Sequence, residues 1–203
     1  MAAIAHFFRS LLRVRLLSHA GLWAVIGMVL FVPGMGVADG LVTANANKVE
    51  AAFLRNFARY VTWPPQTFAD ERAPWKICIL GSDRFDDVLE NTLLGRKEQG
   101  RAFEISRAQT LEQLPSCQII FIGYKDAGKR RAALDRLMAR PVLTVGDAPD
   151  FLQDGGIIRF QVEEHVEIGI NLDQARAVAL KIPTKMLEIA REVKENGAVR
   201  IWR

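Results

Sequence analysis

Two cysteines, Cys78 and Cys117, and three histidines, of which only His165 lies beyond residue 38, bound the chemistry open to this 203-residue chain. A Ser–His–acid hydrolase would have to use His165, yet no GxSxG elbow is present. A zinc site would lack a second imidazole, and the two cysteines form no CxxC. His165 falls in a predicted hairpin turn and reads as an exposed turn residue. Gly81-Ser82-Asp83 sits at the end of a predicted strand and before a helix, where an α/β sheet places anion or nucleotide sites. It lacks both GxGxxG and GxxxxGK[ST], so an ordinary strand-to-helix turn is the competing reading. Asp83, Asp86 and Asp87 read as a solvated first helical turn rather than an acidic pocket. Lys129, Arg130, Arg131 and Arg136 form a basic helix face, either solvated or a patch for a partner. No catalytic residue, metal ligand or cofactor-binding set is assigned, and the chain reads as a non-enzyme.

The elements that would position these residues are read from periodicity. Asn45 to Thr62 recurs apolar at helical spacing through Val49, Phe53 and Phe57, with Asn45 or Asn47 as cap and Trp63-Pro64-Pro65 as stop. Phe57, Tyr60 and Trp63 read as core. Trp75 to Gly81, Cys117 to Gly123 and Pro141 to Gly146 are apolar strand runs. Ala102 to Arg107 alternates as a short strand. Ser82 or Asp83 is expected to cap a helix that buries Phe85, Val88, Leu89 and Leu93, and Thr110 to open a helical turn. Lys125 to Arg140 reads as a helix with Ala132, Leu134, Leu137 and Met138 inward. Strands alternating with helices predict a mostly parallel sheet covered on both faces. Ile157 to Val162 and Val166 to Leu172 are too close for a crossover and predict an antiparallel hairpin. Asp173 is expected to cap a short helix, and Thr184 to Lys194 to form the last one. The fold class is α/β, a three-layer α/β/α sandwich with a mostly parallel central sheet and a C-terminal antiparallel hairpin.

The first forty residues have another character. Arg9, Arg13 and Arg15 precede the uncharged run Leu22 to Val32, then Pro33-Gly34, then Gly36-Val37-Ala38. A basic start, an apolar stretch and a small-x-small site are the three parts of a secretory signal peptide. Residues 1–38 are therefore expected to be a removable leader and residues 39–203 one mature domain. The alternative is an uncleaved anchor, for which the apolar run is short of the ~20 residues a spanning helix needs. The full chain carries 27 basic and 23 acidic residues, a formal charge of +4. Three arginines leave with the leader, so the mature chain is close to neutral and nucleic acid is not an expected partner. In an oxidising compartment, Cys78 and Cys117 are a candidate disulfide; two buried free thiols are the alternative.

Several stretches together resemble the YfiR-like family of periplasmic proteins: VEAAFLRNFARYVTWP, ICILGSDRF, CQIIFIG, RPVLTVGDAPDFLQDGGIIRF and EIGINLDQARAVALKIPTKMLEIAR. The resemblance runs from Lys48 to Arg191. It implies a regulator without a cofactor, located in the periplasm. Such a protein binds the periplasmic sensor domain of an inner-membrane diguanylate cyclase and represses cyclic-di-GMP synthesis, and with it biofilm formation. It implies a homodimer and a second partner, an outer-membrane peptidoglycan-associated lipoprotein. Cys78 and Cys117 match one disulfide pair of the family. The second pair that some members carry is missing from Leu152-Gln153-Asp154-Gly155-Gly156. The alternative function is a periplasmic small-molecule-binding sensor for another membrane signalling system, with an apolar cleft at the strand ends. The leader reading has a direct consequence: N-terminal sequencing of the exported protein returns Asp39 as its first residue, whereas an intact chain in the membrane fraction would contradict it.

Overall fold

The computed structural model describes residues 37–162 and 165–202, with side chains from Ala46 onward. The expected leader lies outside the described residues apart from Val37 and Ala38. Val42 to Arg203 forms one compact unit. Helix α1 (Val37–Tyr60) opens the description. Then come β1 (Trp75–Leu80), α2 (Asp87–Leu93), β2 (Phe103–Ala108), β3 (Ile119–Ile122) and α3 (Ala127–Leu137). After them follow β4 (Leu143–Gly146), β5 (Ile158–Val162), β6 (Val166–Asn171), α4 (Leu172–Ala177), α5 (Thr184–Glu188), β7 (Glu192–Glu195) and β8 (Ala198–Ile201).

Among the described residues, the strands join in one eight-stranded sheet of order β2-β1-β3-β4-β5-β6-β7-β8. Pairings from β2 through β5 are parallel, and β5 and β6 form the expected antiparallel hairpin. β6 and β7 are parallel, and β7–β8 is a second antiparallel hairpin. Side chains alternate across the sheet, so successive strand residues enter opposite layers. Ile77 and Ile79 of β1 pack with Ile119, Phe121 and Leu143 under α1 and α2. Cys78 and Leu80 pack with Ile120, Ile122 and Leu134 on the face covered by α3. This is the three-layer α/β/α architecture.

Several local expectations shift. α1 is already helical at Val37, so Asn45 and Asn47 lie inside it and cap nothing. α2 starts at Asp87; Asp83 instead accepts a hydrogen bond from the Phe85 N–H at 2.8 Å and shapes the turn before the helix. In α3, Ala133, Leu134 and Leu137 face inward, whereas Ala132 and Met138 are exposed. Asn171, not Asp173, caps α4 by accepting from the Gln174 N–H. The last helix ends at Glu188, and Glu192 to Lys194 belong to β7 instead. The missed signal is Asn196-Gly197, both with positive φ (55° and 75°), a pair suited to a two-residue hairpin turn. The Asp173 carboxylate accepts from both of their N–H groups, at 2.7 and 2.9 Å, and so pins the turn of β7–β8.

Cys78 and Cys117 are joined in a disulfide, with α-carbons 6.1 Å apart. The bond ties β1 to the run-in of β3, its sheet neighbour. It closes a loop of 39 residues in sequence separation. The chain-entropy argument gives such a loop roughly 4 kcal/mol as an upper figure. Thiol counting on the denatured, unreduced protein is expected to find no free thiol. Cys78→Ser is expected to lower the unfolding free energy by up to about 4 kcal/mol in denaturant titration. Two free thiols per chain, or an unchanged midpoint, would remove the structural role.

Candidate functional site

The turns that follow β1, β3 and β4 meet at the carboxyl ends of the parallel strands. Between them lies a cleft of about 820 Å³, bordered by Ser82, Arg84, Tyr124, Lys125 and Asp147, with Asn47 of α1 on its wall. Glycine is needed where the two inner turns touch. A Cβ on Gly123 would run into the Ser82 carbonyl oxygen, and one on Gly81, at φ 88°, into the Tyr124 ring. The Gly81-Ser82-Asp83 turn therefore does border a cleft, although Asp83 itself turns away to pair with Arg107. Asp86 stands at the cleft with φ 43°, and Asp87 begins α2.

The basic face expected on α3 is largely neutralised. Arg130 is buried and pairs at 2.6 Å with Asp154, whose side chain is 4% exposed, while Arg131 pairs with the other oxygen of Asp154 at 2.7 Å. Arg136 pairs with Glu112. Burial opposes ionisation of Asp154, but hydrogen bonds from Arg131 and Arg130 outweigh it and hold the carboxyl below its usual range. Lys129 is exposed. His165 is exposed between β5 and β6, as expected for a turn residue. Among the described residues, no cluster of three His, Cys, Asp or Glu side chains is placed to hold a metal ion.

Sequence reasoning missed Glu50. It lies on α1 and is 2% exposed, and neither carboxylate oxygen has a hydrogen-bond partner. Arg84 approaches it, Nε to Oε2 at 3.5 Å, while the same guanidinium donates to Asp147 at 2.6 Å. Burial pushes the Glu50 carboxyl from 4.5 up to about 7; Arg84 pulls it back and the Asp147 charge adds to the rise. A glutamate spaced among apolar helix positions was the available signal, since Glu50 stands between Val49 and Ala51.

A second concavity is apolar. Phe53, Phe57 and Tyr60 of α1, Ile168 of β6, and Met186 and Ile189 at α5 border a groove of about 330 Å³. Phe57 and Trp63 are core, as expected, but Tyr60 is 49% exposed and Ile189 is 60% exposed. Exposed apolar side chains around a groove mark binding surfaces more often than isolated ones do.

The chain matches the YfiR/HmsC-like family over residues 47–191, from α1 to the residue before β7. It belongs to that family. The match takes in both concavities and the disulfide, while β7 and β8 lie beyond it. A comparison with curated proteins found no match. Among the described residues, no helix is long and apolar enough to cross a membrane.

Family membership leaves the electrostatics of Glu50 to be tested on this chain. Its carboxyl is raised on folding, so the native state binds the proton more tightly than the unfolded chain. Its stability contribution is full below about pH 4.5 and is lost as pH rises to about 7. The loss amounts to about 3 kcal/mol. Glu50→Gln is expected to flatten this fall and to be the more stable form at pH 8, measured by urea unfolding between pH 4 and pH 8. Parallel pH profiles for the two proteins would show that Glu50 titrates normally.

Proposed function

We propose that this protein is a periplasmic regulator that binds the sensor domain of an inner-membrane diguanylate cyclase and represses it, lowering cyclic-di-GMP. The match to the YfiR/HmsC-like family across residues 47–191 carries this reading. The groove between α1 and α5 supports it, because interface centres are apolar, rich in aromatic and methionine side chains, and poor in charge. Phe53, Phe57, Tyr60 and Met186 are of that kind, with Lys185 at the edge. The occupant assigned to the groove is an apolar side chain of the cyclase's periplasmic domain. The same reading makes the protein a homodimer and gives it a second partner, an outer-membrane peptidoglycan-associated lipoprotein that withdraws it from the cyclase. It requires no cofactor and no catalytic residue of its own.

The test has two arms. Deleting the gene is expected to raise cellular cyclic-di-GMP in a strain that keeps the paired cyclase, and unchanged levels there would refute repression. Tagged protein should retain the cyclase from detergent-solubilised inner membrane. Tyr60→Asp and Ile189→Asp are expected to weaken that capture by about tenfold each, since central interface positions contribute about 1–2 kcal/mol or more. Both positions are exposed, so the variants should fold. Capture that survives both substitutions would move the contact away from the groove.

A further inference from the structure

We propose that Glu50 is a proton-operated anchor of α1, so that the apolar groove formed by the later turns of that helix is set by the protonation state of a carboxyl at the strand-end cleft. The proposal rests on the regulatory reading above only for what the groove binds. The geometry begins with an imbalance. Both Glu50 oxygens and the Asn47 Oδ1 one turn earlier are buried without a hydrogen-bond donor. Two groups face Glu50 from the elements packed against α1: Arg84 from the turn after β1, and Asp147 from the turn after β4. Asp86 stands at the same cleft, and the Asn47 side-chain amide Nδ2 donates to the Arg84 carbonyl oxygen. One guanidinium thus joins three elements, and two carboxylates compete for it.

A protonated Glu50 leaves Arg84 to Asp147, which matches the distances of 2.6 Å to Asp147 and 3.5 Å to Glu50. An ionised Glu50 is a buried anion that must share its cation. Local opening of α1 hydrates that anion and relieves the penalty, so deprotonation favours opening. Phe53, Phe57 and Tyr60 lie one to three turns further along the helix and form one wall of the groove. A loosened α1 is a less complete groove.

Hydrogen exchange of the mature chain at pH 6 and pH 8, corrected for intrinsic chemistry, decides the matter. The carboxyl has a midpoint of about 7 in the closed state and the ordinary 4.5 once exposed. The open state then gains about tenfold in population between those two pH values. Amides from Ala51 to Tyr60 should exchange about tenfold faster at pH 8 than at pH 6 in the wild type, and equally at both in Glu50→Gln. Equal protection in the wild type, or the same tenfold change in Glu50→Gln, would overturn the anchor. Should Glu50→Gln fold poorly, Asp147→Asn takes its place. Removing that negative charge should move the pH at which exchange rises downward, and an unmoved midpoint would overturn the proposal. A pH-dependent α1 in a protein that captures no cyclase at either pH would leave the anchor standing and remove the functional reading instead.

Discussion

β1 has no solvent face. β2 and β3 flank it in the sheet, and of its six residues only Lys76 escapes full burial. Ile77 and Ile79 demand cover on one side, Cys78 and Leu80 on the other. Each such aliphatic side chain contributes roughly 1.5–3 kcal/mol when removed from water. A parallel strand of this kind is stable only inside two layers of other structure. α1 and α2 supply one layer. α3, with Phe151 and Leu152 behind it, supplies the other. The disulfide belongs to the second layer, because Cys78 points there. Where β1 and β3 end side by side, their turns must bend apart or touch. Gly81 and Gly123 let them touch, and the cleft opens beside that contact.

The same demand for cover explains the polar residues of α1. The helix buries Ala51, Leu54, Phe57 and Ala58 against the sheet, so acidic groups that meet this layer need partners there. Glu98, on the loop before β2, is met by two arginines of α1, Arg55 at 2.6 Å and Arg59 at 3.5 Å. Its backbone carbonyl also accepts the Trp75 indole N–H at 3.0 Å. Glu50, in the middle of the helix, shares one guanidinium with Asp147. The last turns of α1 are held by a carboxylate with two cations, although Arg55 Nε itself lacks an acceptor, and its middle by a carboxylate that must share one. Buried charges of the first kind fix geometry, while those of the second kind invite change.

The layers were legible because they follow from periodicity. Ile77 to Leu80 and Ile119 to Ile122 are apolar runs too short for helices and too continuous for a half-exposed strand. The hairpin at residues 158–171 followed from a connection too short to cross over. The C-terminal strands were lost because Met186, Leu187 and Ala190 keep a helical period up to the point where Ala190 and Val193 turn into the core. There a local pattern yielded to pairing with β6, and Asn196-Gly197 was the countersign. The arginines of α3 looked like a surface run because their partners, Asp154 and Glu112, are distant in sequence. The place of the cleft was legible at Gly81-Ser82-Asp83, but its charged rather than apolar lining was not, and the groove was illegible altogether: their linings are made by residues that only the sheet order brings together.

Their electrostatics separate the two concavities in kind. Arg84, Lys125 and Arg130 at the cleft are opposed by Asp86, Asp147 and Asp150, and the two arginines are already committed to carboxylates. A partner that takes either arginine must break an ion pair before it gains the contact, and exchange of that sort returns little net free energy. Among the described residues, the groove holds no such pairs. Apart from Asn56 and Lys185 its lining is aromatic, aliphatic and thioether, and what it loses on contact is mostly water over apolar surface. Met186 adds a side chain that can adapt its shape to an incoming one. Binding energy is therefore available at the groove and control at the cleft. Among the described residues, α1 is the one element that lines both, through Asn47 at the cleft, with Glu50 close to its Arg84, and Phe53 to Tyr60 at the groove. Local opening of α1 couples the two ends of this stretch, so the cleft need not touch a partner to influence how well the groove receives it.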